Sequence, residues 1–308
     1  MEKYKENEAT DDVAQQRELP HEALFLALAY LPLYELVVMS QVCRSFREAL
    51  EHDILPWLNI VVSKPLNKRI GDNHLLKVAS KSNGQLRTLA LLNCSGITDE
   101  GIHQVVASNP NTSKLYVPGC TSLTPDGVIK AVKLLTRNAH RLKSLRINGI
   151  HNINKEDLEI LRGLIDEYQQ KQEPILYHEF NRFTTFRLQE TSPSLDIDLC
   201  PKCDEVRAVF DCPRDSCKRK NKKQRQVECR GCKFCIPRCE ECGICIKDEE
   251  TEEAACADSL CLNCWLQLPK CSFCNRPYCI EHADQQFFLP GSSGFLCTSC
   301  HAKHMVNS

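Results

Sequence analysis

No apolar run in this sequence approaches the roughly 20 residues that a membrane helix needs, so no membrane span is expected. The first twenty residues, MEKYKENEATDDVAQQRELP, hold no apolar core and do not read as a secretory signal. Net charge is almost absent, with 39 Lys and Arg against 40 Asp and Glu, a balance of -1. Whole-chain charge therefore favours neither nucleic acid nor a membrane surface, and only local clusters can do so. There is no nucleophile–base pairing and no phosphate-binding loop, and the histidines are scattered. No catalytic residue is assigned, and the chain is expected to be a non-enzyme. Cysteine is nearly missing from the first two-thirds, where only Cys43, Cys94 and Cys120 occur. Together these absences predict a soluble, intracellular protein of the nucleus or cytoplasm.

What is present divides the 308 residues into segments, a length suited to two or three domains. Residues 1–17 are polar and predict a disordered tail. In LPHEALFLALAYL, Leu24, Leu28 and Leu31 recur at helical spacing, with Pro20 suited to a first turn and Glu22 favourable beside the helix N-terminus. Pro32 breaks that helix and starts a second, carrying Leu33, Leu36 and Val37. A third segment places Val42, Phe46 and Leu50 on one face. Three helices in about forty residues form a bundle too small to stand alone, so it is expected to pack on a neighbour or a partner.

An internal repeat follows. LRTLALLNCSGITDEGI from Leu86, SKLYVPGCTSLTPDGV from Ser113 and LKSLRINGIHNINKEDL from Leu142 align Leu89, Leu115 and Leu145. The same register aligns Leu91, Val117 and Ile147, then Cys94, Cys120 and Ile150, then Thr98, Thr124 and Asn154. The last three are good helix N-caps, and Pro125 stands at a favoured first helical position. A degenerate copy from Arg69 matches Asp72 to Asp99, Leu75 to Ile102 and Val78 to Val105. One unit reads as a strand, a turn holding a small buried residue, and a capped helix. Cys94 and Cys120 are expected to be packing residues. Residues 166–199 lose the repeat and read as a linker, with a strand expected around Phe183 to Leu188.

The remaining eighteen of 21 cysteines fall between Cys200 and Cys300. In a reducing compartment such density reads as metal binding rather than disulfides. Cys-x-x-Cys pairs occur at 200/203, 229/232, 239/242, 242/245, 261/264, 271/274 and 297/300. Cys279 with His282 is a further pair, Cys212 and Cys217 are separated by four residues, and Cys235 joins the candidate ligands. Two intervening residues let both thiolates reach one tetrahedral zinc ion, so the ligand supply predicts roughly four or five ions. Metal would supply the folding free energy that a segment poor in aliphatics lacks. Spacing alone leaves the pairing open. The last four pairs suit a cross-brace, with 261/264 joined to 279/282 and 271/274 joined to 297/300. No Cys-x-His-x-x-Cys centre is present, which argues against a RING-type ligase activity. The run Lys218, Arg219, Lys220, Lys222, Lys223, Arg225 is the one basic cluster. It is read as a nucleic-acid contact, an import signal or a solvated loop.

The first helical region resembles the F-box. The resemblance lies in Leu19-Pro20-His21-Glu22 with Leu24, in Tyr30-Leu31-Pro32, in Leu36, and in Val42-Cys43-Arg44 with Phe46. Phe46 stands where many members carry tryptophan. The resemblance implies that Leu19, Pro20, Leu24, Leu31, Pro32, Leu36, Val42, Cys43 and Phe46 dock on the SCF adaptor, and through it on cullin. The repeats resemble the cysteine-containing leucine-rich repeats found behind F-boxes, and the whole resembles plant F-box proteins that interact with that adaptor. The expected fold class is α+β and multidomain: an F-box bundle (18–60), a short leucine-rich-repeat-like α/β solenoid (61–165), a linker (166–199) and a small zinc-stabilised module (200–304). The expected function is a substrate receptor that brings an unknown protein target to ubiquitination. The alternative is a zinc-dependent nucleic-acid-binding regulator using the basic loop.

Overall fold

The structure is a computed structural model that describes residues 22–137, 142–165, 177, 194–217, 229–247, 251–288 and 294–306. The disordered-tail assignment, Leu19, Pro20, the Phe183–Leu188 strand and the basic run at 218–225 all lie outside the described residues. Among those described, no helix is long and apolar enough to cross a membrane.

Three helices open the described part of the chain: α1 (Glu22–Leu28), α2 (Leu33–Val42) and α3 (Arg44–His52). Pro32 caps α2 in an extended conformation, and Cys43, also extended, separates α2 from α3. Leu28, Leu33, Leu36, Phe46 and Leu50 form the inner face, and the Phe25 and Phe46 rings pack with centroids 5.3 Å apart. Trp57 closes the bundle, its indole N–H donating to the Leu50 carbonyl at 3.0 Å. Leu24, Val37 and Val42, which share the helical spacing of these residues, are exposed. In α2 apolar residues occupy both sides, so periodicity cannot select the buried one.

Next comes a parallel four-stranded sheet in chain order: β1 (Asn59–Val62), β2 (Thr88–Leu91), β3 (Lys114–Tyr116) and β4 (Ser144–Arg146). Each strand is followed by a helix: α4 (Asp72–Ser80), α5 (Asp99–Ser108), α6 (Pro125–Thr136) and α7 (Lys155–Ile165). Leu89 pairs with Leu115 and Leu115 with Leu145, and all three are fully buried. After each of the last three strands the chain turns through a left-handed residue: Asn93, Gly119 and Gly149. A side chain at Gly119 would also collide with the Asn93 amide, its Cβ lying 2.1 Å from Oδ1. The next residue is Cys94, Cys120 or Ile150, each buried. The Cys120 thiol lies 3.2 Å from the Leu91 carbonyl of the unit before.

The open edge of β4 is covered. Leu145 donates its N–H to the Ser194 carbonyl at 2.7 Å, and Leu195 pairs with Leu145 in parallel. One residue on, the Asp196 carboxylate accepts the N–H groups of Ile147 (2.8 Å) and Asn148 (3.1 Å). Burial pushes the Asp196 carboxyl up to about 6, against the pull of those two N–H groups and of Arg146. Ion pairs continue the join: Arg162 of α7 to Asp198, Asp198 to Arg230, and Arg230 to Asp211. Residues 194–199 are thus packed onto the sheet. Beyond them the chain makes short ribbons, β5 (Asp198–Leu199) with β6 (Val206–Arg207), β7 (Thr251–Glu253) with β8 (Ser259–Cys261), and β9 (Phe287–Phe288) with β10 (Phe295–Leu296). Two helices, α8 (Leu262–Gln267) and α9 (Thr298–Val306), complete it. Half of the buried residues in its small cysteine-bearing clusters are cysteines.

Candidate metal centres and adaptor surface

The ribbons and turns gather the cysteines into groups whose ligand atoms lie within 4.8 Å of one another. Four are all-cysteine: Cys200, Cys203, Cys232, Cys235; Cys212, Cys217, Cys229, Cys245; Cys239, Cys242, Cys261, Cys264; and Cys271, Cys274, Cys297, Cys300. A fifth combines Cys256, Asp258, Cys279 and His282. The close sulfur–sulfur separations run from 3.4 Å (Cys217 to Cys229) to 3.9 Å (Cys203 to Cys232). That is far beyond the roughly 2.05 Å of a disulfide. It is close to the edge, about 3.8 Å, of a tetrahedron whose sulfurs stand about 2.3 Å from a central zinc. These groups have the donors and the spacing to hold metal ions such as zinc.

Backbone geometry supports thiolates at these positions. Cys232 donates its N–H to Cys200 Sγ at 3.3 Å, Cys245 to Cys212 at 3.4 Å, and Cys297 to Cys271 at 3.2 Å. Burial pushes the Cys200 thiol up, but N–H groups of Cys232, Lys202 and Cys203 outweigh it and bring it down to about 6. Cys271 comes down to about 6 against burial in the same way, through Cys274, Cys297 and Phe273. Cys239 falls to about 5, chiefly through its hydrogen bond with Cys242. Cys212 is lowered against burial as well, through the N–H groups of Cys245 and Arg214. Other thiols go the other way. Burial and the neighbouring Cys229 push Cys217 up to about 11, and burial with the Cys239 charge pushes Cys264 up to about 12. Each four-cysteine group thus stabilises one anion and resists the next, a repulsion that a central dication relieves. The buried Arg238 guanidinium ties the loops together, donating to the carbonyls of Phe210 (2.8 Å) and Cys229 (2.6 Å).

The structure sorts the sequence pairs differently from their spacing. Cys229 and Cys232 belong to separate groups, as do Cys242 and Cys245. Of the expected cross-brace, Cys271 and Cys274 do lie with Cys297 and Cys300. The other half is corrected: Cys261 and Cys264 lie with Cys239 and Cys242, while Cys279 and His282 lie with Cys256 and Asp258. The physical reason is that β8 ends at Cys261 and hands its thiol back toward Cys242, 3.8 Å away. Cys256 and Asp258 were missed as ligands. The available signal was Cys256-x-Asp258-x-x-Cys261, with aspartate where a histidine was sought.

At the other end of the chain the helical bundle leaves apolar side chains outside. Leu24, Leu26, Tyr30, Tyr34, Val37, Val38 and Val42 are exposed, Leu26 and Val42 each by 63%. Leu31, Pro32 and Cys43 are half-buried. Leu36 and Phe46, counted in sequence with the adaptor-binding set, are core residues that hold the helices together rather than offer themselves to a partner. Leu26 and Val38 are exposed on the same helices but lie outside the positions that carry the resemblance. So many large apolar groups on one small bundle mark an interaction surface.

Comparison with known proteins agrees with this layout. Residues 17–63 match the F-box-like family, and residues 196–273 match the family described as the At3g27290 F-box protein C-terminal domain. F-box protein SKIP28 of Arabidopsis thaliana is 36% identical over 297 residues, spanning 93% of this chain and 92% of that protein. F-box protein SKIP14, also of Arabidopsis thaliana, is 34% identical over 255 residues, spanning 81% of this chain and 55% of its own length. With the helical face, the matched segment and a relative aligned over nearly its full length, this chain belongs to the F-box protein family.

Proposed function

We propose that this chain is the substrate-receptor subunit of an SCF-type ubiquitin ligase. F-box proteins generally serve in that way, binding the SCF adaptor and through it cullin. The observation that carries the reading is the set of outward apolar side chains on α1, α2 and the turn between them within the matched F-box segment, with Leu26, Tyr30, Val38 and Val42 exposed. A surface of this kind gains from burial against a partner at roughly 25 cal/mol per Å² of apolar area. The units between 61 and 165 act as a short leucine-rich-repeat-like solenoid, and the region from 200 to 304 holds roughly four or five zinc ions. Both present or position the target. The chain itself performs no bond chemistry. It works by proximity, raising the local concentration of target lysines beside the charged ubiquitin-conjugating enzyme.

The test is co-purification of the full-length chain with the SCF adaptor. Leu19→Ala with Pro20→Ala is expected to lose the adaptor while the metal content of the chain stays unchanged. Undiminished adaptor recovery by the double variant would sink the assignment.

A further inference from the structure

The fifth ligand group differs in kind from the other four. Cys256 Sγ lies 3.7 Å from Cys279 Sγ, the separation found within the all-cysteine groups. Cys279 Sγ is also 3.1 Å from Asp258 Oδ2 and 3.2 Å from His282 Nδ1. His282 Nδ1 is in turn 3.0 Å from the same Asp258 oxygen. These residues suggest a Cys–His–Asp relay, but the geometry excludes one. A relay needs the thiol on one ring nitrogen and the carboxylate on the other, whereas here both face Nδ1. Four donor atoms instead converge on one point, from two thiols, a carboxylate and an imidazole.

The order of ligands along the chain adds an independent observation. Cys239 and Cys242 are followed by Cys256 and Asp258, then Cys261 and Cys264, then Cys279 and His282. The third and fifth groups alternate, so each chain loop closed by one group contains a ligand pair of the other. Cys271 and Cys274 of the fourth group fall inside the fifth group's loop as well. A Glu241 carboxylate oxygen from the third group's turn accepts the N–H of Ile280 in the fifth group's turn.

We propose that Cys256, Asp258, Cys279 and His282 bind a zinc ion of their own, the most labile in the chain, and that it links the third and fourth centres. This deepens the zinc component of the function proposed above and rests on it. Two thiolates in place of four make a harder donor set with fewer soft bonds to the metal. The Asp258 and His282 side chains are 29% and 38% exposed, which leaves a path for a competing chelator.

The test uses the full-length protein and counts zinc per chain by elemental analysis, then follows release to a chromogenic chelator. The expected count is five, with one ion leaving in a resolved fast phase. Asp258→Ala should hold four, without the fast phase. If that variant folds poorly and holds fewer, Asp258→Cys decides: it should keep five and slow the fast phase at least tenfold. Four ions in the unaltered protein, five in Asp258→Ala, or an unchanged fast phase in Asp258→Cys would each overturn the proposal. A count of zero would instead overturn the zinc component of the proposed function, and adaptor recovery would still report on the F-box reading.

Discussion

The carboxylate of Asp99 caps the helix that belongs to the next unit: Oδ1 accepts the backbone N–H of Thr124 at 3.0 Å and Oδ2 accepts the Thr124 hydroxyl at 2.7 Å. Asp72 does the same for Thr98, at 2.9 and 2.7 Å. The threonine hydroxyls then accept from Gly101 and Gly127 at the helix starts. Glycine is required there, since a Cβ at Gly127 would lie 2.0 Å from Asp99 Oδ1. The ladder stops at Pro125, which holds Asp99's place in the following unit and has no carboxylate. Asn154 instead exchanges bonds with Asp157 of its own helix, at 3.0 and 2.9 Å.

Asp99→Ala removes both bonds at once. It should cost about 1–2 kcal/mol, the usual worth of a helix cap. Asp126→Ala, in the first turn of α6 and exposed, should cost no more than about 0.5 kcal/mol. Thermal unfolding of the two variants side by side checks this, and equal midpoints would show that the ladder contributes nothing.

The repeat was legible in sequence because a parallel sheet with one strand per unit forces equivalent residues into register. Leu89, Leu115 and Leu145 align in the sequence and meet in the sheet. The grouping of cysteines was not legible. Cys229 and Cys232 are three residues apart, yet Cys229 joins Cys212, Cys217 and Cys245 while Cys232 joins Cys235 and the distant Cys200 and Cys203. Asp196 was equally hidden, because its role depends on backbone N–H groups 48 and 49 residues away. Polar residues acting at long range leave no periodic trace.

A second prediction concerns the helical bundle. Leu26→Arg and Val42→Arg change exposed residues, so far-ultraviolet circular dichroism should match the unaltered chain. Adaptor affinity should fall at least tenfold, or about 1.4 kcal/mol. Leu28→Ala opens a cavity at a buried position and should cost about 2–5 kcal/mol of stability. Arginine variants that bind the adaptor as before would show that this face is not the docking surface.

Metal removal gives a third. A strong chelator with reductant should unfold the region from 200 to 300, whose buried clusters are small and half cysteine. The parallel sheet has its own aliphatic core and should persist. Hydrogen exchange resolves the two regions, and retained protection around Cys239 and Cys261 after complete zinc loss would contradict the prediction.

The last prediction concerns Asp196 and pH. Its carboxyl titrates near 6 in the folded chain against 3.8 for an unperturbed group, chiefly through burial. A raised folded pKa means that the native state holds a proton that the unfolded state has released, between about pH 4 and pH 6. The cost of the buried charge is therefore present above 6 and relieved as pH falls through that window, by an amount on the order of 2–3 kcal/mol. Acid also acts on the cysteine thiolates, so absolute stability does not isolate this effect, but a difference between variants does. Asp196→Asn has no titrating group and keeps one acceptor oxygen for the two N–H groups of Ile147 and Asn148. Losing an acceptor costs it about 1–3 kcal/mol for an unsatisfied buried N–H, but at pH 7 it escapes the cost of the buried charge. The stability of the unaltered chain minus that of the variant should therefore rise as pH falls from 6 to 4, since only the aspartate gains from protonation. Unfolding midpoints at pH 7, 6, 5 and 4 measure this difference. A difference that falls on acidification would mean that the two N–H bonds and Arg146 hold the carboxyl below its ordinary range, and that burial is the weaker influence at this edge.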